Sequence, residues 1–82
     1  MVKIEYGPSF EKEIRKIKHT KVKDKIKSQI LKIIASPEIG KPMRYARKGT
    51  REVYVSPYRL SYEYLKEEEK IMFLELYHKD DQ

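Results

Sequence analysis

The sequence contains no cysteine, so neither a disulfide framework nor a thiolate metal site can hold the fold together or carry out chemistry. It also has no apolar run close to the roughly 20 residues that a membrane-spanning helix needs. The N-terminal stretch "MVKIEYGPSF" lacks the apolar segment of a signal peptide. We therefore expect a cytoplasmic protein without membrane contact, and we expect residues 1–82 to form one domain around a simple core.

Short catalytic motifs are missing as well. There is no glycine-rich phosphate loop, and the two histidines, His19 and His78, complete neither a His/Cys ligand pair nor a Ser-His-Asp arrangement. We therefore expect no metal. The groups that remain for handling phosphate are Arg, Lys, Tyr and His side chains. They suit a metal-free reaction on a phosphodiester, in which cations stabilise charge at phosphorus and one group moves a proton.

Positive charge is abundant. Lys and Arg number 19 against 13 Asp and Glu, which gives a net charge of +6. The stretch "KPMRYARKGTR", residues 41–51, contains no acid, and its cations are Lys41, Arg44, Arg47, Lys48 and Arg51. Such a local field attracts phosphates, so a nucleic acid is the first partner to consider, with Tyr45 as a candidate for stacking on a base. The alternative is a surface charge network of the kind found in heat-adapted proteins.

Hydrophobic periodicity predicts the element order β-α-α-β-β-β. Period-two alternation indicates a strand over residues 2–6, and helical spacing indicates two amphipathic helices after it. The predicted helix boundaries are a start at Pro8 or Ser9, an end near His19, a cap at Thr20 for the second helix and a stop at Pro37. His19 is interpreted as a cap of the first helix or a solvated residue.

The sequence pattern in the second half of the chain predicts a long loop and then three strands. The strands cover residues 51–55, 58–65 and 71–77, and the turns "SP" and "KEEEK" between them are short enough only for antiparallel neighbours. We therefore predict an α+β fold. Its N-terminal strand and helical hairpin pack on one face of a four-stranded, mainly antiparallel sheet.

Alternation also assigns the two faces of the sheet. In "YRLSYEYL" the apolar set, Tyr58, Leu60, Tyr62 and Tyr64, is expected to meet the helices, and the other set faces outward. The residues expected on the outer face are Glu52, Tyr54, Arg59, Ser61, Glu63 and Glu75. In the last strand both sets are largely apolar, and Glu75 indicates that odd positions face out. The outer face is where a ligand would lie.

Four stretches, in their order, resemble the RelE/ParE superfamily of toxins from toxin–antitoxin pairs: "FEKEIRKI", "GKPMR", "REVYVSPYRLSYEY" and "LELYHK". The resemblance covers nearly the whole chain. In the RelE branch it implies a ribosome-dependent endoribonuclease that cuts mRNA in the decoding site, with the RNA 2′-hydroxyl attacking the adjacent phosphate and with no cofactor.

The resemblance also implies partners. A cognate RelB-like antitoxin is expected to wrap the sheet and helices with an amphipathic or disordered segment, giving a toxin–antitoxin heterotetramer. Two alternatives stay open: a ParE-like inhibitor of DNA gyrase without nuclease activity, and a non-catalytic RNA-binding protein.

Carried over to this chain, the resemblance assigns Arg59 to the family's arginine in "GYRL", which would hold the attacked phosphate through two parallel hydrogen bonds. The alternative is an exposed ion pair with Glu63 or Glu75, worth roughly 0–1 kcal/mol. Lys79 matches the basic residue at the end of the last strand. The adjacent His78 is an alternative for proton transfer, because histidine titrates near neutral pH.

The chain also departs from the RelE pattern. Glu52 and Tyr54 stand where RelE-type enzymes carry two basic residues, and the family's tyrosine beyond the last strand has no counterpart before Gln82. Tyr54 or Tyr77 is therefore a candidate substitute for proton transfer. The cations of residues 41–51, with Tyr45, are the candidates for contacting RNA and the ribosome.

Overall fold

A computed structural model describes residues 2–42 and 49–78 of the chain. Its elements, in chain order, are β1 (Lys3–Tyr6), α1 (Pro8–Lys16), α2 (Thr20–Ala35), β2 (Lys41–Pro42), β3 (Thr50–Val55), β4 (Tyr58–Leu65), a 3-10 turn (Lys66–Glu68) and β5 (Lys70–His78). The predicted order of strands and helices is confirmed. Among the described residues, no helix has the length and apolar character needed to cross a membrane.

The strands form a five-stranded mixed sheet in the order β1-β5-β4-β3-β2. β1 runs parallel to β5, and all other neighbours are antiparallel. The sequence predicted four strands, and the fifth is the two-residue β2, which pairs with the start of β3 inside the predicted loop. Two residues are too few for alternation to reveal a strand, which is why the pattern missed it.

The helices begin and end close to the predicted positions, but the link between them differs. α1 ends at Lys16 with Ile17 as its C-cap, and residues 17–19, with extended backbone at Ile17 and His19, lead directly into α2. His19 is the N-cap of α2 and Thr20 its first residue, with no side-chain capping bond. The predicted cap at Thr20 is therefore wrong, and so is the placement of His19 at the end of the first helix.

The core lies between the helical layer and one face of the sheet. Its buried members are Phe10, Ile17, Ile26, Ile33, Val55, Leu60, Tyr62, Ile71, Phe73 and Leu76. The predicted faces of β4 are confirmed: Leu60 and Tyr62 are fully buried, while Tyr58 and Tyr64 are half-buried at the two ends of the strand. The outer face of the sheet is left uncovered by the helices.

A bulge in β5 sets which residues reach each face. Ser61 pairs with Glu75 and Tyr62 with Phe73, so Leu74 is an extra residue between two paired positions. Before the bulge the odd residues Ile71 and Phe73 are buried, and after it the even residue Leu76 is buried. The prediction that odd positions face out therefore holds only after the bulge, at Glu75 and Tyr77.

Candidate functional site

Arg59 lies at the centre of the uncovered sheet face. Its neighbours across the strands are Tyr54 in β3 and Tyr77 in β5. The next row along the strands contains Glu52, Ser61 and Glu75. Because residues that pair across a sheet share a face, this register places the residues expected on the outer face side by side.

The guanidinium of Arg59 is held by a buried carboxylate. Its Nη1 donates to Oε1 of Glu52 over 2.9 Å, and the Glu52 side chain is only 8% exposed. The guanidinium carbon lies 5.8 Å from the centre of the Tyr54 ring, a distance at which a cation and an aromatic face attract. Nε is buried and has no acceptor among the described residues. The predicted alternative of an ion pair with Glu63 or Glu75 is thus wrong in its partner.

Two phenols complete the surroundings of Arg59. The hydroxyl of Tyr77 donates to Oε2 of Glu52, so both carboxylate oxygens are engaged. The hydroxyl of Tyr54 lies 3.3 Å from Oγ of Ser56, and its side chain is half exposed. We call Glu52, Tyr54, Arg59 and Tyr77 the Arg59 cluster. It combines a cation that can bind phosphate with a carboxylate and hydroxyls that can orient or transfer protons.

His78 does not join this cluster. It pairs with Tyr58, and its ring makes an edge contact with the Tyr58 ring at 5.6 Å between centres. Neighbours in a strand point to opposite faces, so Tyr77 faces Arg59 and His78 faces the helix side. The structure therefore places His78 and Arg59 on opposite faces of the sheet. Lys79 lies outside the described residues.

The basic stretch is described only at its two ends. Arg44, Tyr45, Arg47 and Lys48 lie outside the described residues, and Lys41 is an exposed residue opposite Glu52. Arg51 donates through Nη1 to the carbonyl oxygens of Glu38 (3.0 Å) and Gly40 (2.8 Å). It pairs with the buried Tyr62 and so lies on the helix side. In this arrangement Arg51 anchors the chain before residue 43 rather than adding charge beside Arg59.

Tyr62 anchors the same segment from the core. Its hydroxyl accepts from the backbone N–H of Gly40 (2.9 Å) and donates to the carbonyl of Pro37 (2.7 Å). Burial raises the pKa of Tyr62 above its ordinary value of 10.0, against the opposing effects of the Gly40 N–H and Arg51. A Cβ at position 40 would lie 2.6 Å from the Tyr62 hydroxyl, so this close approach requires glycine.

The excess positive charge lies on the helices. Residues 8–35 contain nine lysines and arginines against three acids, an excess that equals the net charge of the whole chain. Lys25 and Lys32 of α2 line a shallow groove together with Tyr54. The basic side of the molecule therefore meets the Arg59 cluster at Tyr54, where β3 passes close to α2.

Sequence reasoning missed two of these features. Glu52 was expected on the outer face, but its contact with Arg59 was not predicted, although its parity with Tyr54 places it diagonally across from Arg59. The helical lysines were interpreted as the polar face of amphipathic helices. Among the described residues, no three His, Cys, Asp or Glu side chains are grouped so that they could hold a metal ion.

Comparison with solved structures finds the same fold in bacterial toxins. The toxin of the intact E. coli RelBE toxin–antitoxin complex superimposes with a TM-score of 0.78 at 19% identity, covering 93% of this chain and 94% of that one. The Mycobacterium tuberculosis RelBE2 complex gives a TM-score of 0.82 at 19% identity, with 95% and 98% covered. A YoeB/ParE toxin from Agrobacterium tumefaciens gives 0.83 at 13% identity, with 94% and 98% covered. At these identities the likeness establishes a RelE-like fold.

Comparison by sequence establishes the family. No curated protein sequence matches the chain significantly. The family model described as the ParE toxin of the type II toxin–antitoxin system parDE matches residues 4–82, which is nearly the whole chain. The chain therefore belongs to the ParE toxin family of type II toxin–antitoxin systems, within the RelE/ParE superfamily.

Proposed function

We propose that this toxin is a metal-independent endoribonuclease that cleaves mRNA in the decoding site of the ribosome. The observation that carries the proposal is the Arg59 cluster: a guanidinium, a carboxylate and two phenols gathered on an open sheet face. Phosphodiester cleavage by a neighbouring 2′-hydroxyl requires charge stabilisation and proton transfer but no cofactor. The cluster contains groups suited to both tasks.

In the proposed reaction the 2′-oxygen forms a bond to phosphorus, and the bond from phosphorus to the 5′-oxygen breaks. Arg59 stabilises the added negative charge on the phosphoryl oxygens, since a guanidinium matches phosphate geometry. The phenols of Tyr54 and Tyr77 are the candidates to receive the 2′-hydroxyl proton and to return a proton to the leaving 5′-oxygen. Lysines on α2, together with Lys41, Arg44, Arg47 and Lys48, would hold the RNA backbone.

Primer extension on a message bound to programmed ribosomes tests the proposal. We expect wild-type protein to produce cuts at decoding-site codons, and far fewer cuts in the same message free of ribosomes. Message that stays intact in both states would refute the ribonuclease.

A second function, inhibition of DNA gyrase, is favoured by the family match to ParE toxins. Glu52 also favours gyrase inhibition over RNA cleavage, because its carboxylate offsets the charge of Arg59. Gyrase supercoiling assays with the same preparation separate the two functions. Accumulated gyrase–DNA cleavage complexes together with intact message would assign the chain to gyrase.

We also propose a RelB-like antitoxin as the partner, as in the E. coli and M. tuberculosis complexes. An apolar groove between α1 and α2 fits the nonpolar side of an amphipathic helix; Phe10, Ile14, Ile26, Ile30 and Leu31 line it. Leu31 is 63% exposed there, so the apolar lining of the groove extends to the surface, where a partner could cover it. The variant Leu31→Lys should stay folded but lose a small partner that wild-type protein recovers from its native source. Equal recovery of the partner by both proteins would show that the antitoxin binds outside this groove.

A further inference from the structure

We infer that Glu52 is a positioning residue that fixes the Arg59 guanidinium and the Tyr77 hydroxyl as one unit, an inference that rests on the proposed ribonuclease. The three residues come from three adjacent strands, β3, β4 and β5. Oε1 of Glu52 accepts from Arg59 at 2.9 Å, and Oε2 accepts from Tyr77. One carboxylate thus sets the direction of both groups that would meet the phosphate.

The burial of Glu52 argues against a passive role on the surface. Its side chain is 8% exposed, and a carboxylate removed from water needs partners for its charge and its oxygens. A surface counter-ion would keep several rotamers and leave Arg59 mobile. Because both oxygens are engaged, a rotation of the Glu52 side chain would break a hydrogen bond to Arg59 or Tyr77, and these contacts in turn restrict the rotamers of both neighbours.

The same contacts argue against Glu52 as the base itself. A substrate hydroxyl would have to displace either Arg59 or Tyr77 before it could reach a carboxylate oxygen. Arg59 remains competent to bind an anion, since Glu52 engages Nη1 while Nε has no acceptor among the described residues. Buried donors are normally satisfied, so an Nε–H without an acceptor is a feature that a bound phosphate oxygen would relieve after a small shift.

Positioning and simple charge neutralisation predict different changes in the cleavage rate of the Glu52→Gln variant. Glutamine has the same shape and can still accept from Arg59 and contact Tyr77, so the fold should persist. If Glu52 only offset the positive charge, its neutralisation would strengthen binding of RNA and leave cleavage equal or faster. If it positions Arg59 and Tyr77, the weaker contacts of the amide would misalign both groups and slow the chemical step, although the site becomes more positive.

The first test is single-turnover cleavage of message on programmed ribosomes, with the rate constant separated from the half-saturating protein concentration. Glu63→Gln is the matched control. Glu63 lies in β4 on the same face of the sheet as Arg59, and it has the same charge as Glu52. We expect Glu52→Gln to lower the rate constant about 10- to 100-fold, without weaker binding, and Glu63→Gln to change it little. A Glu52→Gln rate equal to or above that of wild type would overturn the inference.

A second readout does not depend on nuclease activity. In 15N-edited NMR spectra the buried Nε–H of Arg59 should give a signal protected from solvent exchange in wild type and in Glu63→Gln. We expect this protected signal to be lost in Glu52→Gln. If wild-type protein cleaves nothing yet the loss occurs, the ribonuclease proposal fails and the positioning of Arg59 stands. If the signal is unchanged in Glu52→Gln, the positioning role fails whatever the cleavage assay shows.

Discussion

At the residue scale, one buried phenol determines how the chain enters its basic stretch. The Tyr62 hydroxyl joins the backbone of Pro37 and Gly40 to the sheet, and Arg51 contacts the same segment from β3. Residues 43–48 follow directly after this anchored segment. The position of Arg51 therefore reflects a structural task in the segment that leads into residues 43–48.

Tyr62→Phe tests this anchor. The substitution keeps the ring in the core but leaves the Gly40 N–H and the Pro37 carbonyl without their partner. Buried groups that lose a hydrogen bond cost about 1–3 kcal/mol, so we expect a lower free energy of unfolding by that amount in urea titrations. Tyr64→Phe, at a half-buried position on the same face, is the control and should change stability less. Equal stability of Tyr62→Phe and wild type would show that the hydrogen bonds of Tyr62 to Gly40 and Pro37 do not stabilise the fold.

Tyr62 also predicts a pH dependence. Its pKa is raised in the folded state by burial, above the 10.0 of the unfolded chain. The folded protein thus favours the neutral phenol, and this contribution is complete below about pH 10 and is lost as pH rises through the folded pKa. Urea unfolding at about pH 8 and about pH 11 should show a larger alkaline loss of stability for wild type than for Tyr62→Phe. Identical losses would indicate that this phenol titrates alike in both states.

At the element scale, the bulge in β5 decides which side chains enter the core. Leu74 is the extra residue, and without it the strand would pair regularly with β4. Ile71 and Phe73 before the bulge, and Leu76 after it, would all keep their buried positions. Removal of Met72 has the opposite consequence, because any pairing of the shortened strand sends Ile71 or Phe73 to the outer face.

We therefore expect deletion of Leu74 to be tolerated better than deletion of Met72. Loss of a large buried side chain costs about 3–5 kcal/mol, so the Met72 deletion should unfold at much lower urea concentration or fail to fold. The Leu74 deletion should retain a cooperative transition and the fold of the sheet, as judged by circular dichroism. If the Leu74 deletion were the more damaging of the two, the bulge would be essential for a reason other than the two faces of β5.

The sequence predicted the elements with strong periodicity and failed where local geometry decides. Alternation in "YRLSYEYL" placed Arg59 on the outer face correctly, and helical spacing located both helices to within a few residues. No pattern marks a two-residue strand such as β2 or a bulge such as Leu74. The partner of Arg59 was also mistaken, because Glu52 meets it diagonally across β3 and β4, and this contact depends on the register.

At the scale of the whole molecule, the excess positive charge and the Arg59 cluster lie on different sides. The helical layer carries an excess of six positive charges, and the sheet face carries Arg59 beside Glu52, Glu63 and Glu75. Tyr54 lies where the two sides meet, with Lys25 and Lys32 in the same groove. A polyanion held by Lys25 and Lys32 would thus lie next to Tyr54, the member of the Arg59 cluster nearest the helices.

Neutralising Lys25 and Lys32 together tests the contribution of the helices. If both lysines bind phosphates, Lys25→Gln/Lys32→Gln should weaken binding to ribosomes and reduce the slope of log affinity against log salt by about 0.7 for each phosphate that is no longer neutralised. Lys12→Gln/Lys18→Gln, at exposed positions near α1, is the matched pair with the same change in net charge. Equal slopes for the two double variants would show that only net charge matters.

The most direct test of the account is primer extension on programmed ribosomes with wild type, Arg59→Ala and Arg15→Ala. Arg15 is an arginine of α1 whose side chain is 79% exposed, so it controls for the loss of one charge. Arg59→Gln serves as a second variant if the alanine protein is poorly folded. We predict that loss of Arg59 reduces cleavage at decoding-site codons about 100- to 1000-fold, while Arg15→Ala cleaves like wild type. Cleavage by a folded Arg59 variant at the wild-type rate would contradict the central role of this arginine.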